Sequence, residues 1–381
     1  MKAARFYGPG DVRVENIPEP VAKEGQVKVK VKSPGMLKTS FIFSTPLINI
    51  TPGNNLRNGI CGSDLHAYLA PIPVYANKEP NPVTGETVPV TLGHEFAGTI
   101  VDVGPGVDAN KWAAGTKVVI EPILSCRKGS CFSCSSGHHN ICPHVAFIGC
   151  SGWGGGLAEF IAVDLLYVHR LPEGVPLEIG ACVEPLSIAY HSVKRSNFKP
   201  GQTVLIAGSG PIGLFLLKVI KSLDPDATVL VSEPAAIRRQ FALEHGASQV
   251  FDPIKEDIPT AVRKFVPPGV DVAFEAAGVQ ASLDNCLLSL RARGTYLNVA
   301  LWEIKATIDI NLILSRELNI TGIIGYDHIH EEVLQLLGEG KFKNIEKLIT
   351  RKIKLDDVVE DGLKRLISEK DKQVKILVSP S

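Results

Sequence analysis

The chain has 381 residues, with 40 basic and 40 acidic side chains and a formal net charge of zero. That length exceeds one ordinary core and suits two domains of roughly 100–200 residues, while the balanced charge excludes the basic excess of a nucleic-acid binder. Hydrophobic residues at 45% and charged residues at 21% describe a globular chain, and eight cysteines are too few for a disulfide scaffold of this size.

In chain order, Met1–Gly10 lacks the apolar core of a signal peptide. The longest apolar runs, such as Ile212–Ile220, are about half a membrane span. A cytoplasmic protein without a membrane partner is the expectation, and in that reducing compartment clustered cysteines suggest metal rather than disulfides. Val27–Val31 alternates as a half-buried strand should, and Ala97–Val103 and Thr116–Ile120 are further strands between glycine and proline breakers. The first half therefore reads as a β-rich domain, a barrel or distorted sandwich.

Near Pro200 the pattern changes. Strands at 203–207, 228–232, 250–251, 270–275, 296–300 and 320–324 alternate with helical stretches, among them 211–222 and 235–245. Regular alternation of this kind means a parallel sheet covered on both faces, an α/β fold. The tail from Lys347 reads as a strand, a helix over 356–370 and a final strand over 374–378 that returns to the first domain. The division expected is 1–195, 196–340 and 341–381.

Pro34–Arg57 fits neither half: 24 positions without an acidic residue, between a good strand and the first chemical motif. A structureless connection of that length is uncommon in a compact domain. Gly35-Met36 can be encoded GGTATG, which contains a splice-donor-like GTATG. A translated intron is therefore preferred to a genuine surface loop, and a cDNA spanning the region decides between them.

Thr203–Gly213 reads TVLIAGSGPIG, a buried strand running into Gly208-x-Gly210-x-x-Gly213 and then a helix that opens with Pro211 and Ile212. The glycines allow a tight turn, close approach of a pyrophosphate and close helix–strand packing, and the helix N-terminus offers amide donors to the phosphate. Glu233 follows 20 residues after Gly213, where an acid binds the ribose hydroxyls and repels a 2′-phosphate. NAD is therefore expected rather than NADP, although Arg238 and Arg239 nearby could partly accommodate that phosphate.

Cys126, Cys131, Cys134 and Cys142 are spaced C-x4-C-x2-C-x7-C, four soft ligands from one loop for a closed structural zinc. His138, His139 and His144 read as solvated neighbours. Cys61 and His94 are typical ligands of an open catalytic zinc site, and an acidic third ligand completes it. Glu95 and Glu184 are both candidates, with Glu184 preferred. Cys150, Cys182 and Cys286 read as buried small hydrophobes. Trp302 reads as core, and Gly154-Gly155-Gly156 as a flexible turn.

Together the stretches GICGSDLH (59–66), GHEFAG (93–98) and ACVEPLSIAYH (181–191), with the cysteine loop and the glycine fingerprint in that order, resemble the zinc-dependent medium-chain alcohol dehydrogenases. The resemblance spans nearly the whole chain except 34–57. VSEP (231–234), NVALW (298–302) and EDGLKRLISEK (360–370) point within that family to its butanediol and polyol branch.

The resemblance implies a GroES-like β-rich catalytic domain and a Rossmann domain, two zinc ions per chain, NAD, and a homodimer or homotetramer. It implies hydride transfer between NAD and a secondary alcohol of a small diol or polyol, with 2,3-butanediol and acetoin ahead of sorbitol or xylitol. Zinc would lower the pKa of the substrate hydroxyl, as it lowers that of bound water to about 7. Ser63 would take the proton and His66 pass it to solvent. Ala277, Val299, Ala300 and Leu301 would lie along the cofactor.

Overall fold

The computed structural model describes residues 1–31, 58–369 and 371–379. The segment 34–57, read above as an insert, lies outside the described residues.

The β-rich part is built on a mixed sheet. Its strands run in the order Phe160–Asp164, Gln26–Lys30, Glu95–Val103, Asn58–Gly59, Lys375–Ser379 and Ile349–Lys354, and Lys117–Ile120 joins Glu95–Val103 to Val168–Arg170. Val27 and Val29 alternate inward with lysines between them, the pattern of a half-buried strand. The strand Lys375–Ser379 pairs with Asn58–Gly59, placing Leu377 and Val378 directly beside the segment that leads into Cys61.

The second part is a six-stranded sheet, parallel at every pairing. Its order is Gln249–Phe251, Val229–Ser232, Val204–Ala207, Val270–Glu275, Leu290–Asn298 and Asn319–Gly322. In sequence rank that is 3-2-1-4-5-6, the doubly wound order whose crevice opens beside the first strand. All four residues of Val204–Ala207 are buried, as expected of a strand covered on both faces. The helix Pro211–Leu223 buries Leu214, Phe215, Leu216 and Leu217 against it and against the helix Val183–Arg195. Each such side chain contributes roughly 1.5–3 kcal/mol by leaving water.

Two local differences from the expected elements carry information. The strand expected over 296–300 is Leu290–Asn298; Val299 and Ala300 leave the sheet and donate their amides to the Glu275 carbonyl. The helix expected over 356–370 divides into a 3-10 turn, a π-wound stretch Val358–Lys364 and one α-turn Arg365–Ser368. Gly362 lies in the π stretch, and a Cβ there would meet Ile60 Cδ1 at 2.7 Å. The wider winding thus brings bare backbone against the residue preceding Cys61. Among the described residues, no helix is long and apolar enough to cross a membrane.

Candidate active site and metal centres

Cys61 caps the helix Gly62–Leu69, with its amide donating to Asp64 Oδ2 at 3.0 Å. His94 immediately precedes, and Glu95 opens, the strand Glu95–Val103, and the ligand atoms of Cys61, His94 and Glu95 all lie within 4.8 Å of one another. Glu184 sits buried in the first turn of the helix Val183–Arg195 and stands outside that triplet.

Partners fix the orientation of His94. Its Nδ1 faces Cys150 Sγ at 3.3 Å and Asp64 Oδ1 at 3.7 Å, which leaves Nε2 on the side of Ser63, whose Oγ is 3.4 Å away. Asp64 in turn accepts from the Tyr75 hydroxyl at 2.7 Å, and burial together with the Asp64 charge holds that phenol well above its ordinary pKa. Burial opposes an imidazolium at His94, but the charges of Cys150, Asp64 and Cys61 outweigh it and raise the group well above its usual value. Acidic groups thus gather around His94, an arrangement that favours a bound cation. A carboxylate behind a ligating histidine fixes its tautomer and ring orientation.

Glu95 is occupied. Lys375 Nζ meets both of its oxygens, and Gly59 leaves room for the carboxylate, since a Cβ there would lie 2.2 Å from Oε2. Burial works against the Lys375 ammonium, yet Glu95 holds it above its ordinary value. Glu184 differs: burial pushes its carboxyl up to about 7 despite the charge of His94. A metal would reverse that burial penalty by supplying positive charge.

The four loop cysteines close a second centre. Their sulfurs all lie within 4.8 Å of one another, with Cys126–Cys134 at 3.7 Å and Cys131–Cys142 at 4.0 Å. A tetrahedron with zinc–sulfur bonds of about 2.3 Å has sulfur–sulfur edges of about 3.8 Å, whereas a disulfide needs about 2.05 Å. The amides of Cys126 and His144 point at Cys142 Sγ at 3.5 and 3.4 Å. Burial opposes the Cys134 thiolate, but hydrogen bonds from Ser125, His139 and the neighbouring thiols bring it down to about 6. The residues fit zinc at this position.

The fingerprint glycines gather at the C-terminal ends of the parallel strands. Gly208 has φ +97°, and a Cβ on Gly213 would lie 2.0 Å from the Gly208 carbonyl oxygen, so turn and helix touch backbone to backbone. Gly210 caps the helix that opens with Pro211 and Ile212, and the Arg238 guanidinium lies beside it. Glu233 is 4% exposed and accepts from the amides of Ser209 at 2.8 Å and Ala235 at 2.9 Å, which ties the acid to the phosphate turn.

Across the crevice, the buried Glu275 accepts from the amides of Ala277 and Gly278, both at 2.9 Å. Gly278 stacks under the Leu301 carbonyl, and Leu301 itself is exposed. His66 bridges the two halves, with Nδ1 3.3 Å from Glu303 Oε1.

Several sequence readings need correction. Cys150 is buried, but it is no inert hydrophobe: its sulfur faces His94. Gly154-Gly155-Gly156 is a close-packed turn, because a Cβ on Gly155 would meet the Leu92 carbonyl oxygen at 2.3 Å and one on Gly156 the Asn58 side chain at 2.4 Å. His138 and His139 are engaged, with Asp327 at 2.8 Å and Ser125 at 2.9 Å. Cys182 and Cys286 are buried in the core, and Trp302 is partly buried with its indole donating to Asn298. Asp64 stood in the GICGSD stretch without an assigned role. Tyr75, Lys375 and Glu275 carry no local sequence signal.

Residues 55–173 match the family described as "Alcohol dehydrogenase GroES-like domain" and residues 211–339 the family described as "Zinc-binding dehydrogenase". An (R,R)-butanediol dehydrogenase of Neisseria gonorrhoeae is 37% identical over 100% of both chains, and a sorbitol dehydrogenase of Bacillus subtilis is 28% identical over 100% of this chain and 98% of its own. The crystal structure of the 2R,3R-butanediol dehydrogenase from Bacillus subtilis superposes with a TM-score of 0.87 at 38% identity, covering 100% of this chain and 99% of that one. With its GroES-like and Rossmann parts, the chain belongs to the zinc-binding alcohol dehydrogenases, oxidoreductases that act on CH–OH groups with zinc and a nicotinamide cofactor.

Proposed function

We propose that the chain interconverts a vicinal diol and its hydroxyketone, 2,3-butanediol and acetoin, using NAD. The observation that carries this reading is a buried site with two acids, Glu95 beside Cys61 and His94 and Glu184 within electrostatic reach of His94, with Lys375 committed to Glu95. Lys375 holds Glu95 back, so Cys61, His94 and Glu184 would hold the catalytic metal, and Cys126, Cys131, Cys134 and Cys142 a structural one. When bound, zinc acidifies a hydroxyl and NAD accepts the hydride from the adjacent carbon.

The chain's own residues do the rest. Asp64, fixed by Tyr75, orients the His94 ring. Ser63 lies within reach of the Tyr75 hydroxyl at 3.3 Å and of His94, and it takes the substrate proton. His66, half-exposed at the domain cleft, passes that proton to solvent. Glu233 binds the adenosine ribose, the amides after Gly210 the pyrophosphate, and Ala277, Val299, Ala300 and Leu301 line the nicotinamide half. The domains divide at 1–195, 196–340 and 341–381.

The chain works as a cytoplasmic homo-oligomer. Its edge strand Asn319–Gly322 lies beside exposed Ile310, Leu314, Ile320 and Ile324, the apolar rim that a second copy would cover. Light scattering tests that state. Comparing kcat/KM for 2,3-butanediol and 2-butanol with NAD tests the activity: a strong preference for the diol is expected, and equal efficiencies would refute diol recognition. Sorbitol and xylitol in the same panel test the polyol alternative, which the similarity to a sorbitol dehydrogenase keeps in view.

A further inference from the structure

The acid that selects the cofactor does not stand alone. Arg239 lies in the first turn and a half of the helix Ala236–Glu244, six residues after Glu233. Its Nη1 donates to the carbonyl oxygens of Glu233 and of Pro234, both at 2.6 Å. Its Nη2 meets Asp252 Oδ2 at 3.1 Å, with both side chains largely covered. Asp252 follows the strand Gln249–Phe251; its Oδ1 accepts from the Ile254 amide at 3.1 Å, and Lys255 stands off at 3.8 Å. Glu233 completes the circuit, its amide donating to the Phe251 carbonyl at 3.1 Å.

We propose that the Arg239–Asp252 pair is a specificity-determining positioning pair for the dinucleotide. It clamps the Glu233–Pro234 turn through two carbonyls, so the Glu233 carboxylate keeps its place beside the phosphate turn. It also consumes the guanidinium nearest that acid. A cation with three of its five donors committed to a carboxylate and two carbonyls, and its charge balanced by Asp252, is held away from a 2′-phosphate. The chain thus rejects the phosphorylated dinucleotide twice, once by the negative charge of Glu233 and once by keeping Arg239 occupied. Arg238, one residue earlier, turns instead toward Gly210. Neither charge of the pair touches the cofactor; both act through Glu233.

The inference rests on the NAD reading above, and binding alone tests it. Dissociation constants for NADH and NADPH are measured by nicotinamide fluorescence on the full zinc-loaded chain. The isosteric Asp252→Asn keeps an acceptor for the Ile254 amide while releasing Arg239. Losing one charge-assisted contact should lower the NADH-over-NADPH ratio by about tenfold, with NADPH binding becoming tighter in absolute terms. Asp252→Glu should restore much of the ratio, and the double variant Asp252→Asn with Arg239→Ala should lose the gain in NADPH affinity. A wild-type preference for NADH that Asp252→Asn leaves unchanged, or a loss of equal size for both dinucleotides, would overturn the pair's role alone. Equal wild-type affinities would overturn the NAD preference and the pair with it.

Discussion

Lys375 and Glu95, 280 positions apart, form an ion pair with both side chains 1% exposed, Nζ lying 2.6 and 2.8 Å from the two carboxylate oxygens. The ammonium also reaches the Ile60 carbonyl at 3.3 Å, so the last strand of the chain is pinned to the residue before Cys61. The buried pair ties the last described strand to the strand that carries Glu95 and so closes the domain.

Lys375→Met leaves the Glu95 charge buried and unpaired, a loss of about 3–5 kcal/mol. Denaturant unfolding of the single variant should show that loss, and the double variant with Glu95→Gln should recover most of it. A double variant no more stable than the single one would refute the pairing account.

Asp64 touches His94 from behind, so Asp64→Asn should weaken zinc at the catalytic centre by about 10–100-fold while leaving the cysteine lobe loaded. Competition with a chelator, followed by counting zinc per chain, reads this directly: one tightly held ion and one weak one.

Cys134→Ser should remove the structural zinc and lower the unfolding temperature, because a cysteine-rich loop draws its folding energy from the metal. The lobe also docks through His138 to Asp327 and through Asn140 to the Ile324 carbonyl. Hydrogen exchange in residues 324–328 should therefore rise in the same variant.

His330 is 1% exposed, stacks on His169 and, among the described residues, finds no hydrogen-bond partner for either ring nitrogen; burial pushes it down to about 4. The unfolded imidazole takes up a proton near pH 6.5 while the folded one does not. Its contribution to stability is thus fully present above pH 6.5 and is lost as pH falls toward 4, by roughly 3 kcal/mol at most. His330→Leu should flatten the acid limb of stability over that window. An unchanged limb would assign the loss to other groups, His191 and His245 being displaced in the same direction.

Ser63→Ala should lower kcat by about 10²–10⁴-fold with cofactor affinity retained, the loss expected when a positioned proton acceptor is removed. Stopped-flow measurement of hydride transfer separates this from slow product release.

By itself the sequence determined whatever depends on neighbours along the chain. Hydrophobic alternation gave the strand at Val27, βαβ periodicity gave the parallel sheet, and short ligand spacing gave the four-cysteine lobe. Gly208, Gly210, Gly213 and Glu233 were legible because a phosphate turn and its acid belong to one βαβ unit.

What only the tertiary structure decided are pairings across long loops, whose partners no local pattern encodes. Lys375 reaches Glu95, Cys150 turns toward His94, Asp252 claims Arg239, and Glu275 holds the turn at Ala277. Each is a polar group buried by folding, which must find its partner wherever the packed chain brings one. That necessity sets the environments of Glu95, paired with Lys375, and of Glu184, buried without that ammonium bound to it, which a linear reading of two glutamates does not contain.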